Sequence, residues 1–190
     1  MSEVMIDLET LSVRPHAIIL VIGAIKFNRN SPIWKENPEF KKHNIFYRKI
    51  EIKSCEDVGL HRNPETELWW DSQDKDVKQE AFGGIDRISL KQALEKFTRW
   101  FRGSKCVWGH GSSFDITILG EAYKRCDMEI PWKFWLVRDT RTLFDLGNVK
   151  MSDLPTYNQH HALYDCYRQI LGVQKSLKHI FKVVEPNIKS

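Results

Sequence analysis

The chain has 190 residues, room for one domain with a substantial core, and its 42% hydrophobic and 28% charged content is ordinary for a soluble globular protein. A net charge of +4 with a pI near 8.8 is a mild basic bias, compatible with a polyanionic partner without demonstrating one. Four cysteines (Cys55, Cys106, Cys126, Cys166) with no CxxC pair argue against a zinc site and a disulfide framework. No apolar run approaches the length of a membrane span, and the N-terminus lacks the pattern of a secretory leader, so a cytoplasmic protein is expected.

Residues 3–10 and 18–27 read as two strands, the second nearly continuous in β-branched residues as a buried strand is. Residues 28–44, with Pro32 and Pro38, read as an extended connection, and Phe46–Ile52 as a third strand with one wet face. The chain therefore opens as a three-stranded antiparallel meander. Asn63 can cap a helix with Pro64 at its first position, and Asp74 opens a second helix over Val77–Phe82. Ser89 caps a third, whose apolar stripe is Leu90, Leu94, Phe97, Trp100 and Phe101. Lys105–Trp108 predicts a short strand, 114–126 a helix, Trp132–Val137 a last strand and Thr140–Leu146 a short helix. Asn158–Leu171 carries Leu163, Cys166, Tyr167 and Ile170 on one helical stripe; Gly172 weakens or turns it, and a final helix covers about 174–183. With no internal repeat or linker, residues 1–190 read as a single domain, a mixed α/β sheet flanked by helices.

Asp7 and Glu9 sit two apart inside the apolar run Val4, Met5, Ile6, Leu8, which places both carboxylates on one face of a strand. Two like charges there are costly unless a cation lies between them, and Mg²⁺ or Mn²⁺ prefers oxygen ligands. The plainer alternative is an edge strand with both acids solvated. Asp115 follows a predicted strand and a glycine-punctuated turn, where functional groups of open α/β sheets gather; it could equally cap its helix. His160 and Asp165 stand five apart, which is not a same-face spacing, whereas His161 stands four before Asp165 and would share its face. Asp139 reads as the cap of the helix that begins at Thr140. The seven histidines form no HExxH pattern, which disfavours zinc hydrolase chemistry.

Taken in order, Asp-x-Glu on the first strand, Asp115 in Trp-Gly-His-Gly-Ser-Ser-Phe-Asp, and His-x-x-x-x-Asp near the end resemble the three motifs of DEDD 3′–5′ exonucleases. The histidine spacing is similar to that of the DEDDh branch, and the motifs span about residues 5–170. Leu68-Trp69-Trp70-Asp71-x-Gln73 and Asp139-Thr140-Arg141-Thr142-Leu143 look like those of small stand-alone polyA-type exoribonucleases and phage exonucleases. The resemblance implies an RNase H-like fold and a metal-dependent 3′–5′ exonuclease that releases 5′-mononucleotides from single-stranded or 3′-overhang RNA or DNA. Asp7, Glu9, Asp115 and Asp165 would be ligands of two Mg²⁺ or Mn²⁺ ions, a pair that activates water and stabilises charge on both the attacking and leaving oxygens. His160 would be the general base, its ordinary pKa of about 6.5 suiting neutral pH, with His161 as its rival. Thr10, Leu11, Trp69, Trp70, His110, Ser113, Phe114 and Arg141 are the candidate substrate contacts, one of the two tryptophans stacking on a base and the other packed in the core. Arg14 and Arg138 could also meet phosphates. Several relatives are dimeric, so a homodimer is compatible with the resemblance. The alternatives are a catalytically silent nucleic-acid-binding module and an endonuclease on the same fold, and neither the sugar preference nor the base specificity is legible.

Overall fold

The computed structural model describes residues 2–31, 40–156 and 160–184. Among these, five strands form one mixed sheet: β1 (Glu3–Thr10), β2 (Ile19–Phe27), β3 (Ile45–Lys49), β4 (Val107–Gly109) and β5 (Val137–Asp139). Their order is β3-β2-β1-β4-β5. The first three are the expected antiparallel meander, and β4 and β5 join parallel to β1. Seven helices follow or separate them: α1 (Ile52–Glu56), α2 (Pro64–Asp71), α3 (Lys75–Phe82), α4 (Leu90–Phe101), α5 (Asp115–Arg125), α6 (Thr140–Leu146) and α7 (Ala162–Val184). None of them is long and apolar enough to cross a membrane.

The alternation along β1 assigns its side chains to two layers. Val4, Ile6 and Leu8 pack with Leu94 and Phe97 of α4 and Ile118, Leu119 and Tyr123 of α5. Met5 points the other way, into a cluster with Ile25, Trp108, Phe144 of α6 and Leu163, Cys166 and Ile170 of α7. Asp7 and Glu9 follow Met5 in that alternation, so both lie on the side covered by α7. The register shift between Glu9 and Thr10 ends the regular pairing of β1 with β2 immediately after the second acid.

The helix starts read at Asn63, Asp74 and Ser89 hold, the first and last of them with a side-chain cap. The Asn63 side chain accepts the Glu65 N–H at 2.8 Å, and Ser89 accepts that of Gln92 at 3.4 Å. Three expectations fail. The third strand stops at Lys49 instead of continuing to Ile52. Ile50 bridges Ile88, and Ile52 opens α1, because the partner waiting for this segment is the chain before α4. The strand expected at 132–137 is displaced: Phe134–Leu136 form a 3₁₀ turn with Phe134 and Trp135 exposed, and pairing with β4 begins only at Val137. An apolar run is not a core strand when tertiary contacts claim only one end of it, here Trp132 among Phe97, Phe101 and Tyr123.

The third correction concerns α7, which is one helix through Gly172. A Cβ at Gly172 would collide with the Phe144 ring of α6. The glycine is there for close packing, not to turn the chain. Pro32, Pro38, Asn158 and Gln159, on which parts of the sequence reading rest, lie outside the described residues. Gly172→Val is expected to lower stability by about 1–3 kcal/mol through overpacking against Phe144, measured as a fall in the urea midpoint with an unchanged slope.

Candidate active site

Three carboxylates converge where β1 meets the first turn of α7. One oxygen each from Asp7, Glu9 and Asp165 lies within 4.8 Å of the others. The approach depends on Gly23, which pairs with Asp7 across β1 and β2. A Cβ on Gly23 would stand 2.5 Å from the Cβ of Ala162, so a larger residue would push the start of α7 off the sheet. One turn on, the Cys166 thiol reaches the carbonyls of Met5 and Gly23, each at 3.6 Å. The Gln169 amide donates to Asp7 Oδ1 at 2.8 Å. Ala162, Cys166 and Gln169 thereby seat α7 so that Asp165 faces the acids of β1.

Asp115 comes from the opposite layer. As the first residue of α5, it accepts the Leu8 N–H on Oδ1 at 3.1 Å. β4 ends at Gly109, so its backbone does not extend to that amide, and the carboxylate takes the place of the missing strand carbonyl. This is not a cap of its own helix. Asp115 borders the same cleft as the other three without joining their tight group of oxygens.

Burial raises all four acids above their ordinary range, and repulsion from their neighbours adds to it for Asp7 and Glu9. Burial raises Asp7 well above the ordinary range, and Asp115, Asp165 and Glu9 add to it. Glu9 is pushed up to about 8 by burial and by the charges of Asp165 and Asp115. Burial lifts Asp115 to about 7 against the opposing pull of the Leu8 N–H. Asp165 is raised by burial, with His160 and Arg168 pulling the other way. Glu9 Oε1 is buried with no hydrogen-bond partner among the described residues. A set of hard oxygen donors buried away from water, two of them raised further by neighbouring acids, fits a divalent metal such as Mg²⁺ or Mn²⁺.

The two neighbouring histidines are put to different uses. His161 Nδ1 accepts the Leu163 N–H at 3.3 Å, capping α7, and its ring stacks on Tyr47 at 5.1 Å. Its Nε2 faces Glu80 at 3.7 Å, and Glu80 also bonds the Tyr47 hydroxyl and pairs with Lys49. That ring is structurally engaged. His160 instead borders the acid cleft, with a left-handed backbone (φ 55°) that non-glycine residues adopt at some cost. Its ring meets Trp69 edge-on at 4.9 Å.

The acids floor a cleft of about 450 Å³, walled by His110, Phe114, Met151, His160 and Arg168. Leu8, Glu9 and Phe114 also border an adjoining recess of about 420 Å³ that runs to Val13, Thr66 and Trp69. Residues 2–177 match the Rv2179c-like family, described as the 3′-5′ exoribonuclease Rv2179c-like domain. The chain belongs to that family. No curated protein sequence matches it. Among solved structures it is similar to the nuclease domain of 3′hExo, a DEDDh family member bound to rAMP, with a TM-score of 0.54 at 12% identity over 93% of this chain and 92% of that one. It is also similar to cell-death related nuclease 4 (CRN-4), with a TM-score of 0.51 at 10% identity over 96% of this chain and 64% of that one. At such identities the likeness concerns the fold, which is the RNase H-like fold of DEDDh nucleases, and the chain is a 3′-5′ exonuclease by family.

In this exoribonuclease domain the expected substrate contacts divide. His110 and Phe114 line the acid cleft, His110 with Nδ1 at 2.8 Å from the Thr140 hydroxyl. Trp69 is 41% exposed in the adjoining recess, whereas Trp70 is buried and its indole N–H donates to the Thr10 carbonyl at 2.9 Å. Thr10 borders the recess, but its hydroxyl is spent on the Ser12 carbonyl at 2.8 Å. The Leu11 side chain is buried in the core, 1% exposed, and lines neither recess, because the chain turns inward there to bond Ile18 and Asn63. Ser113 is exposed and does not line either recess, Arg138 is turned to the carbonyls of Trp135 and Val137, and Arg14 lies exposed. The Arg141 guanidinium packs against Gly111 beside the Asp115 turn. Asp139 caps α6 through the Thr142 N–H at 3.1 Å, as expected.

Sequence reasoning missed Gln169, Arg168, Met151 and Val13. Gln169 and Arg168 had a usable signal, standing four and three residues after Asp165 on the same helical face. Val13 and Met151 had none, since loop residues carry no period. The raised carboxyls make a prediction for the metal-free protein. Below the ordinary Glu value of 4.5 no penalty exists; as pH climbs toward about 8 the unfolded chain gives up protons that the folded chain keeps, so stability falls through that window. In EDTA the melting temperature is expected to drop between about pH 5 and pH 8, and Mg²⁺ or Mn²⁺ to restore it at the upper end. A melting temperature indifferent to both pH and metal would count against the cluster as a cation site.

Proposed function

We propose that Asp7, Glu9, Asp115 and Asp165 hold two divalent cations, Mg²⁺ or Mn²⁺, and that the domain hydrolyses phosphodiester bonds from the 3′ end of single-stranded nucleic acid, releasing 5′-mononucleotides. The observation that carries this reading is the meeting of three carboxylate oxygens within 4.8 Å, together with a buried Glu9 oxygen that has no partner among the described residues. When bound, such a cation pair supplies an activated water and stabilises charge on the attacking and leaving oxygens. The family description favours RNA as the strand. One domain performs the reaction, consistent with the family match over 2–177.

His160 is the general base in this reading. It borders the cleft that Asp165 also lines, where an imidazole can take a proton from water. Trp69 holds the ring edge-on, and the strained backbone at His160 keeps it at the mouth and out of the helix. The Trp69 recess receives the terminal base, with Phe114 at the junction between base and scissile phosphate. His110 and Arg141 supply donors on the phosphate side. His161 takes no part in proton transfer, since its two ring nitrogens face Leu163 and Glu80.

Asp7→Asn and Asp165→Asn are expected to abolish release of mononucleotides from a labelled single strand. Both should stay folded, and without metal melt no lower than the parent, because each removes a repelled charge. Activity retained in both would sink the site. His160→Ala should lower the turnover rate about 10²–10⁴-fold, whereas His161→Ala should mainly lower the melting temperature; the reverse pattern reassigns the base. Cutting of a circular strand would mark an endonuclease, and a protein that binds strands but never cuts them with either metal would mark a silent module.

A further inference from the structure

The half of α7 remote from Asp165 carries a second cluster of titratable groups. Lys175, Lys178, His179 and Lys182 follow at steps of three and four, so they share one helical face. With Asn148, Val149 and Asp153 they line a groove of about 350 Å³. Among the described residues none of the three lysines has a carboxylate within 4.0 Å. The one acid in the groove is engaged elsewhere: Asp153 accepts the Lys150 N–H at 3.2 Å and the Ser152 hydroxyl at 3.3 Å. His179 Nδ1 is tied to the Gly147 carbonyl at 3.0 Å, which leaves Nε2 for another partner. The groove is a row of unneutralised cations with the dimensions of a binding site.

Its position relative to the acids gives the row a meaning. The segment 148–153 is a shared wall, Met151 bordering the acid cleft while Asn148, Val149 and Asp153 border the basic groove. Arg168 joins the two, lining the acid cleft and donating from Nη2 to the Met151 carbonyl at 2.6 Å. Arg168, Lys175 and Lys182 are seven apart, one stripe along the helix. At about 1.5 Å per residue, Lys175 lies roughly 15 Å and Lys182 roughly 25 Å along the axis from Asp165. The acid cleft also adjoins, through Leu8, Glu9 and Phe114, the Trp69 recess, which holds no basic side chain.

The geometry points to the Lys175–Lys182 groove as the site that holds backbone phosphates of the nucleic-acid strand on the 5′ side of the bond being cut. This rests on the reading of the acid cleft given above. A strand whose terminal base enters the apolar recess and whose scissile phosphate lies over the acids leaves away from that recess, where Arg168 lines the cleft and the lysines lie beyond the 148–153 wall. A row of cations on the helix that also carries Asp165 and Arg168 matches an extended polyanion better than a single free phosphate. Phe181, 61% exposed and three residues past Lys178, offers a ring on which a base can stack. The groove makes the domain a reader of strand length: long strands gain contacts that a dinucleotide cannot reach.

The test compares the parent with a triple Lys175→Ala, Lys178→Ala, Lys182→Ala variant and a triple Lys→Arg variant. Binding of a labelled single strand of about twelve nucleotides is followed by anisotropy in EDTA over a salt series. Each phosphate contact on a single strand contributes about 0.7 to the salt slope, so the Ala variant should lose about 2 from that slope and about tenfold in affinity at low salt. Its kcat/KM on the long strand should fall while kcat/KM on a dinucleotide stays at the parent value, and the Arg variant should behave as the parent in both. An unchanged slope and affinity, or equal losses on dinucleotide and long strand, overturns the proposal. Failure of the active-site reading registers separately, as dinucleotide turnover that survives Asp7→Asn while the anisotropy results stand.

Discussion

The constraint on which the structure depends is the convergence of like charges at the contact between β1 and α7. Four carboxyls share one cleft, and packing brings them there despite their repulsion. The force that overcomes it is apolar: Met5, Ile25 and Trp108 on the sheet bury against Leu163, Cys166 and Ile170 of α7. Gly23 sets how close that contact comes, because Ala162 occupies the space a side chain would need. The site thus stores an electrostatic imbalance that a bound cation would relieve, which would couple occupancy of the cleft to stability of the fold.

α7 is the element through which this coupling spreads. Its first turns carry Asp165, Arg168 and Gln169 at the cleft, its middle packs Gly172 under Phe144, and its last turns carry the lysines. One continuous helix makes the spacing between these groups fixed. A break at Gly172, as a glycine in mid-pattern suggests, would have let the basic end swing free of the acidic one. The Phe144 ring closes that option by filling the place where a side chain would stand.

The adjacent histidines illustrate how neighbouring identical residues acquire different chemistry. His161 is drawn into the wall by Tyr47, Glu80 and the Leu163 amide, a set of contacts that helps bind α3, β3 and α7 together. Its ring is held lower in pKa by burial and has no free nitrogen for a substrate. His160 is left at the mouth with its backbone in the left-handed region and its ring against Trp69. The difference lies in what each ring touches, not in the residue type.

Periodicity and capping chemistry made much of this protein readable from the chain alone. The two-residue spacing placed Asp7 and Glu9 on one strand face, the apolar run around them marked a buried strand, and Asn63, Ser89 and Asp139 announced helix starts. These are local rules, acting within a few residues, so local sequence suffices for them. What the chain could not reveal is decided by contacts distant in sequence. Ile52 leaves the strand because the chain before α4 claims Ile50, Phe134 and Trp135 turn to solvent because only Trp132 has a core to enter, and Leu11 is core because Ile18 and Asn63 hold its backbone. That Gly172 leaves α7 unbroken and that the Leu8 amide binds Asp115 are likewise tertiary facts. Sequence determined which acids and histidines were available; only the packing of α7 and α5 against β1 decided which of them meet, since closeness between residues more than a hundred positions apart has no local signature.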